Sequence, residues 1–299
     1  MAGLKTEVWT GEVIRQLGKK SDFLNAIPDM SRYAKDDVIH INKLGVKPEV
    51  LINNTTYPIP VQDANDSDVV ISLDKFQTKQ TEISDDDVES LSYDKIGEYV
   101  KLHADALEET MIEKAAHAIA PAADAALTPV VVTSGAENAA GYKALTIANL
   151  IELKKKFDDQ DIPQDPSQRI LVLNSQHIAD LLNANQAFQL QYQNITTGKV
   201  LNLYGFTIYE YAGCPYFYLN GAIWTKRAWN AAIQATDRRC SFAFYAPNVF
   251  KARGTTKFYN SLAATNPSTQ ATNFNYRNRF IAMPKESKQI AAIVSVNAK

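Results

Sequence analysis

The sequence predicts an α+β protein, and three observations support this. A long run of apolar residues at helical spacing begins near residue 85. A stretch of about 100 residues from residue 129 alternates short strands with helices, which is typical of a packed α/β unit. Both flanks carry strand patterns with a period of two. We therefore expect an α/β domain inserted into a body of helix and sheet.

The composition is that of an ordinary globular protein. The chain has 299 residues, of which 45% are hydrophobic and 21% charged, and its net charge is only −2. Such a balance argues against a protein that coats nucleic acid broadly. From Lys226 to the end, however, 12 basic residues face only two acidic ones, whereas the first 225 residues carry an excess of 12 acids. These parts could attract each other between copies, the basic part could face a polyanion, or the surface is simply unevenly charged.

Cysteine use and the absence of apolar runs indicate where the chain is made. Cys214 and Cys240 form no CxxC pair, which fits a reducing cytosol. No segment reads as a secretory signal, and none approaches the roughly 20 apolar residues of a membrane-spanning helix. We expect a soluble protein with no membrane partner.

The first 35 residues contain a short amphipathic stretch. Trp9, Val13 and Leu17 fall on one face at helical spacing. A single short helix of this kind is marginal alone. It is therefore expected to dock on its own domain or on a neighbouring copy.

Residues 37–83 predict a projecting two-stranded arm. The segment 37–44 alternates apolar and polar residues, and a strand signal of unusual length covers 69–83. Between them lies a tip rich in Pro, Asn and Asp. The second half of the long strand is almost entirely polar, so we expect it to project with the arm. An isolated hairpin is marginally stable, so it needs support from elsewhere.

A long amphipathic helix is the strongest local signal. Ser84 and Asp87 have capping-box spacing, and Asp85, Asp86 and Asp87 suit a helix N-terminus. Pro121 ends a run of about 35 residues. Its apolar stripe consists of Val88, Leu91, Ile96, Val100, His103, Leu107, Met111 and Ala115.

The remaining elements follow in order. We expect a strand near Val131, a helix over 144–157, a strand from Arg169 and a helix from Asn174 or Ser175 to Leu182. Further strands are predicted from residues 241, 250, 277 and 290. Aromatic and basic residues interleave in FAFYAPNVFKAR and NFNYRNRF, which fits a strand burying its aromatics better than an RNA-binding sheet.

No catalytic, metal or cofactor motif is present. The four histidines lack metal-ligand spacing, and no phosphate-cradling loop or nucleophile elbow occurs. Ser175 and His177, two residues apart at a helix start, cannot face each other as nucleophile and base. His103 is expected to be a hydrogen-bonded structural residue, and the two cysteines to be buried.

This order of elements resembles the major capsid proteins of tailed bacteriophages, which have the Hong Kong 97-type fold. TEVWTGEVIRQL resembles their N-arm, ISLDKFQTKQTEISDDD followed by LHADALEETMIEKAA their E-loop strand and spine helix, LNSQHIADLL with TGKVLNLYGFTIYEY their A-domain core, and NRFIAMPKESKQIAAIVSV their terminal P-domain strands. The resemblance implies five segments: an N-arm (1–35), an E-loop hairpin (36–84), a P-domain spine helix (85–128), an A-domain (129–238) and a P-domain β segment (239–299).

The resemblance implies a structural subunit rather than an enzyme, with no cofactor. Such a subunit assembles with itself into hexamers and pentamers of an icosahedral head around double-stranded DNA. Its other implied partners are a portal protein at one vertex and scaffolding or decoration proteins, and its place is the virion capsid, assembled in the host cytoplasm. The contact residues we expect between copies are Trp9, Val13, Leu17, Lys43, Lys47, Lys75, Lys79, Asp85, Asp86, Asp87 and Arg238.

Two alternatives stay open at this point. An encapsulin-like compartment shell shares the implied fold but packages enzymes rather than DNA. An enzyme built on the α/β domain would need a polar pocket with perturbed titratable groups, for which the sequence offers no motif.

Overall fold

The computed structural model describes residues 22–43, 45, 48–63, 65–85, 95–184 and 202–297. Within these ranges lie 14 β-strands in three sheets and three α-helices. The helices are α1 (Lys95–Ile119), α2 (Ile147–Asp158) and α3 (Ser175–Ala184). None of the helices in the described ranges combines the length and apolarity that crossing a membrane requires.

The predicted arm begins in a two-stranded antiparallel sheet. Strand β1 (Val38–Lys43) pairs along its whole length with β2 (Ser67–Ser72). Ile39 anchors this root, because it is buried in a small apolar cluster with Phe250 and Ala252 of the body. Residues 48–66 form the tip between the strands and have no regular secondary structure among those described.

The prediction of one continuous strand over 69–83 was wrong. The chain leaves β2 after Ser72, and Leu73 is buried at the root of the arm. It continues as β3 (Asp74–Gln77) and β4 (Thr81–Ser84), which both pair with a later strand of the body. The polar second half therefore does not project, because main-chain hydrogen bonding to an available sheet edge does not require apolar side chains.

Helix α1 confirms the predicted stripe where it is described. Val100, Leu107, Met111 and Ala115 are buried, and the helix ends at Ile119, two residues before Pro121. The predicted capping box and the stripe residues Val88 and Leu91 lie outside the described residues. The hydroxyl of Thr81 lies 2.7 Å from Nε2 of His103, which confirms the hydrogen-bonded structural role predicted for this histidine.

Helix α1 packs on one face of a four-stranded body sheet. This sheet joins β12 (Val249–Ser261) and β13 (Ala271–Pro284) with β3 and β4. Phe274, Tyr276 and Phe280 alternate along β13 and are buried towards α1. The interleaved aromatic residues therefore belong to a strand that buries them, as predicted.

The α/β unit is built on an eight-stranded sheet. Its strands are β5 (Val130–Val132), β6 (Arg169–Leu173), β7 (Asn202–Leu203), β8 (Phe206–Glu210), β9 (Tyr216–Asn220), β10 (Ile223–Lys226), β11 (Arg238–Tyr245) and β14 (Ile290–Val294). Helix α2 begins at Ile147, later than predicted, because Thr146 and Asn149 form a capping box. Of the two candidate caps of α3, Asn174 fills the role by accepting from the amide of His177.

The last strand returns to the α/β sheet. Strand β14 lies between β11, to which it is antiparallel, and β5, to which it is parallel. Strands from both sides of the predicted boundary at residue 238 therefore complete one sheet. The division of the chain into five segments stays a prediction.

Candidate subunit-contact surfaces

Part of the predicted contact set falls outside what the structure describes. Lys43 ends β1, but its side chain is outside the described part. The residues lying wholly outside it are Trp9, Val13, Leu17, Lys47, Asp86 and Asp87. The predicted contacts of all seven stay predictions.

Lys75 and Lys79 lie on the same edge of the body sheet. Lys75 is exposed on β3, directly opposite Arg279 of β13. Lys79 is exposed in the short connection between β3 and β4, beside helix α1. Both lysines are therefore accessible to another molecule.

Asp85 and Arg238 have contacts within their own chain. The amide of Asp85 donates to the carbonyl of Gln270, while its side chain is exposed. The guanidinium of Arg238 donates to the carbonyls of Ala235 and Asp237, and it lies 4.7 Å from the ring centre of Tyr142. These contacts fix Arg238 at the start of β11, and its role between copies stays a prediction.

The tip of the arm exposes large apolar side chains that sequence reasoning did not single out. Val50, Ile52 and Val61 are 81%, 83% and 92% exposed, and Tyr57 and Ile59 are also mostly exposed. Monomeric soluble proteins rarely expose so many apolar side chains in one segment, so such a surface marks an interaction site. The apolar residues of the tip are visible in the run VLINNTTYPIPV, but its Pro and Asn residues suggested only a polar loop.

A groove of about 430 Å³ runs between α1 and the connection from β3 to β4. Leu102 on the open side of α1 is 58% exposed, and Tyr99 is exposed one turn earlier. Phe76 and Ala106 extend the apolar lining, while Lys79 stands at the rim. The groove therefore offers an apolar floor with a cationic edge.

His177 and both cysteines serve the packing of the subunit. In His177, Nδ1 lies 2.7 Å from the hydroxyl of Ser241 and Nε2 lies 2.8 Å from that of Ser295. Burial lowers the pKa of His177 to about 3, so the ring is neutral. Cys214 and Cys240 are buried free thiols, as predicted. Across the described ranges, no group of His, Cys, Asp and Glu side chains is arranged to hold a metal ion.

Three solved structures are similar to this chain in fold. The chain is similar to the capsid protein of the cyanophage P-SCSP1u at 15% identity, over 94% of this chain and 89% of that one, with a TM-score of 0.66. It is similar to a Mycobacterium phage Che8 protein at 13% identity, over 92% and 91% of the two chains, with a TM-score of 0.62. A virus-like particle from Pyrococcus furiosus gives 10% identity, coverage of 97% and 99%, and a TM-score of 0.58.

These likenesses confirm the predicted Hong Kong 97-type fold. No curated protein matches the chain in sequence. A family model described as "Phage capsid protein" matches residues 66–285, which is about three quarters of the chain. The match runs from the root of the arm through α1 and the α/β unit to the end of β13. The chain therefore belongs to this family of phage capsid proteins.

Proposed function

We propose that the chain assembles with itself, as hexamers and pentamers, into an icosahedral phage head that encloses double-stranded DNA. The observation that carries the proposal is the arm, whose two paired strands flank an exposed apolar tip. Such a tip gains stability only by burying its side chains against another molecule. Membership of the phage capsid family supports a second copy as that molecule.

The groove on α1 is the surface we assign to the tip of a neighbouring copy. Leu102 and Tyr99 supply apolar area there, and Lys79 stands beside them. Glu49 and Asp63 are exposed acidic residues on the tip. Opposite charges at the rim would favour one register of docking more than they would raise affinity. Repetition of one such contact around a closed ring builds a capsomer.

Further partners belong to the same proposal. The assembled head would take a portal protein at one vertex, and scaffolding or decoration proteins could act during or after assembly. The subunit would work in the virion capsid after assembly in the cytoplasm of the bacterial host. Family membership supports the capsid as its place.

A compartment shell of the encapsulin kind is the second candidate. The likeness to the Pyrococcus furiosus particle covers nearly all of both chains and supports the same fold. The family match, however, is to phage capsid proteins. The phage head is therefore the function we favour.

The double variant Ile52→Asp/Val61→Asp tests the role of the tip. Burying two such side chains contributes about 3 kcal/mol or more, so the protein concentration needed for assembly should rise at least about a hundredfold. Analytical ultracentrifugation would measure that threshold. Both sites are exposed in the subunit, so its unfolding midpoint should change little.

A matched control adds the same charge to the same tip. In the variant Asn54→Asp/Gln62→Glu, each new carboxylate can still accept the hydrogen bond that the main-chain N–H of Thr56 or Glu49 donates now. Only the donation from Asn54 to the carbonyl of Thr56 is lost. This control should assemble at nearly the wild-type threshold. Equal assembly by both variants and the wild type would refute the proposed role of the apolar tip.

A further inference from the structure

The face of the body sheet that points away from α1 is divided into a covered part and an open part. Residues of β13 alternate, so that Arg277 and Arg279 point away from α1, while Tyr276 and Phe280 beside them and Asn278 between them are buried on the side of α1. The arm root covers one end of the outward face through Ile39, which packs against Phe250 and Ala252. The other end is open, and it carries what we call the cationic face: Lys75, Lys257, Arg277 and Arg279.

The strand register brings these four cations together in like-charged pairs. Arg279 lies directly opposite Lys75 on β3, and Arg277 lies directly opposite Lys257 on β12. The two pairs are two residues apart along β13, a spacing of about 7 Å. Like charges directly across a strand pair destabilise a sheet, so an anion bound across these pairs would relieve the repulsion.

Few carboxylates of the chain itself balance the charge of these four cations. In the described part, the nearest carboxylate contact is that of Asp37, whose Oδ2 lies 3.4 Å from Nε of Arg279. The other three cations have no ion pair among the described residues. Arg277 instead lies over the ring of Tyr259 at 5.4 Å, and its Nε–H has no acceptor there. The cationic face therefore carries more positive charge than its one carboxylate contact balances.

The neighbouring side chains distinguish a nucleic acid from a protein partner. Beside the cations the outward face carries Gln77, Asn275 and the half-exposed Tyr259, but no large aliphatic side chain. Further along β13 the exposed Glu82 lies opposite the buried Asn273. The cores of protein–protein interfaces are apolar and depleted in charge. Interfaces with DNA are more polar and strongly positive. The apolar arm tip, in addition, has no complement on this face.

We propose that the cationic face binds the phosphate backbone of double-stranded DNA. The inference rests on the proposed function, since it names the surface through which a DNA-enclosing shell contacts its contents. Duplex DNA carries one negative charge per about 1.7 Å of its axis, so four clustered cations can meet several phosphates at once. Contacts of this type carry no sequence preference, as packaging of a whole genome requires.

The test measures the affinity of the dilute, unassembled full chain for a short fluorescent DNA duplex at several salt concentrations. Four phosphate contacts predict a slope of about −3.6 for log affinity against log salt. The variant Lys75→Gln/Lys257→Gln/Arg277→Gln should lower the magnitude of that slope by about 2.7 and weaken binding at least about tenfold at low salt. Arg279 is left intact because it also contacts Asp37 and the carbonyl of Leu73.

The matched control is Lys143→Gln/Lys155→Gln/Lys156→Gln, which removes the same charge from the α/β unit. Its DNA affinity should stay within about twofold of wild type.

The inference is overturned if the cationic-face variant binds DNA like wild type. It is also overturned if both triple variants lose affinity equally, because the overall charge of the protein would then explain DNA binding without a specific surface. It is also overturned if the cationic-face variant binds DNA normally but builds no shells, which would make the face a protein contact. Failure of the wild type to build shells would instead refute the proposed function, because DNA binding is measured on unassembled chains.

Discussion

The ammonium nitrogen of Lys226 lies 2.6 Å from the carbonyl oxygen of Ala120, just beyond the end of α1. It lies equally close to the carbonyl of His117 in the last turn. Carbonyls at a helix C-terminus lack partners within the helix and favour a cation. Two main-chain hydrogen bonds extend this contact. The N–H of Lys226 donates to the carbonyl of Ala122, and the N–H of Asp124 donates to the carbonyl of Trp224. Strand β10 and α1 are therefore tied into one hydrogen-bonded structure.

Burial of Lys226 should make the free energy of unfolding depend on pH in the alkaline range. It lowers the pKa of the lysine from near 10.5 to about 8, with Lys114 adding a smaller repulsion. Between these values the unfolded chain binds a proton that the folded chain does not, so this group makes stability rise with pH, by at most about 1.4 kcal/mol per pH unit. The difference in unfolding free energy between wild type and Lys226→Met, measured by denaturant titration, should therefore grow in favour of wild type from about pH 8 to 10.5. A difference independent of pH would contradict the assigned ionisation.

His177 predicts that stability also rises with pH in the acid range. Its pKa is lowered by burial to about 3, against 6.5 for the free side chain. As pH falls below about 6.5, the unfolded state takes up a proton that the folded state refuses, and stability falls until about pH 3. The variant His177→Gln should lose this part of the acid dependence, although it is less stable at neutral pH because it disturbs bonds to Ser241 and Ser295. Parallel pH profiles for the two proteins would show that the histidine is not the responsible group.

The groove on α1 predicts a second assembly defect. Leu102→Asp should block assembly as strongly as the charged tip variant, whereas Leu102→Met keeps volume and apolarity and should assemble. Because Leu102 is 58% exposed, the subunit itself should remain folded, which circular dichroism checks.

Mixing the two defective variants separates a shared contact from two independent ones. The tip variant Ile52→Asp/Val61→Asp keeps an intact groove, and Leu102→Asp keeps an intact tip. An equal mixture should therefore form discrete pairs in sedimentation, but no rings, because the next contact joins a defective tip to a defective groove. Absence of any pairing would place the tip on some other surface.

Removal of residues 1–20 should weaken particles more than subunits. The stripe of Trp9, Val13 and Leu17 predicts a helix that docks on its own domain or on a neighbouring copy, and the capsid function proposed here favours the neighbour. Thermal disassembly of truncated shells, followed by light scattering, should begin at a lower temperature while the unfolding of unassembled chains is unchanged. Identical disassembly temperatures would remove the predicted role of this segment.

Local patterns predicted the elements that can be recognised without knowing what they pack against. The helical spacing of Val100, Leu107 and Met111 identified α1, and the alternation in 37–44 identified β1, because one buried face is enough to produce either pattern. The break at Leu73 could not be predicted, since it depends on β13, about 200 residues later, offering its edge to β3 and β4. The return of β14 to the α/β sheet is a similar long-range pairing.

The candidate surfaces were predicted less completely than the fold. Lys75 and Lys79 were expected at contacts between copies, but the pairing of Lys75 with Arg279 required the strand register. The interleaving of basic and aromatic residues in NFNYRNRF was visible in the sequence. It could not show that Lys257 stands opposite Arg277, because that neighbour comes from another strand. Exposure of the apolar tip could not be predicted either, because it depends on which surfaces the rest of the fold covers.

Electron microscopy of the purified full chain, supported by light scattering, shows whether the subunit assembles with itself. A capsid subunit should form closed shells of uniform diameter, or rings of five and six subunits that precede them. A protein that stays a monomer or dimer under every salt and crowding condition would contradict it, and would return attention to the α/β unit as the seat of another function.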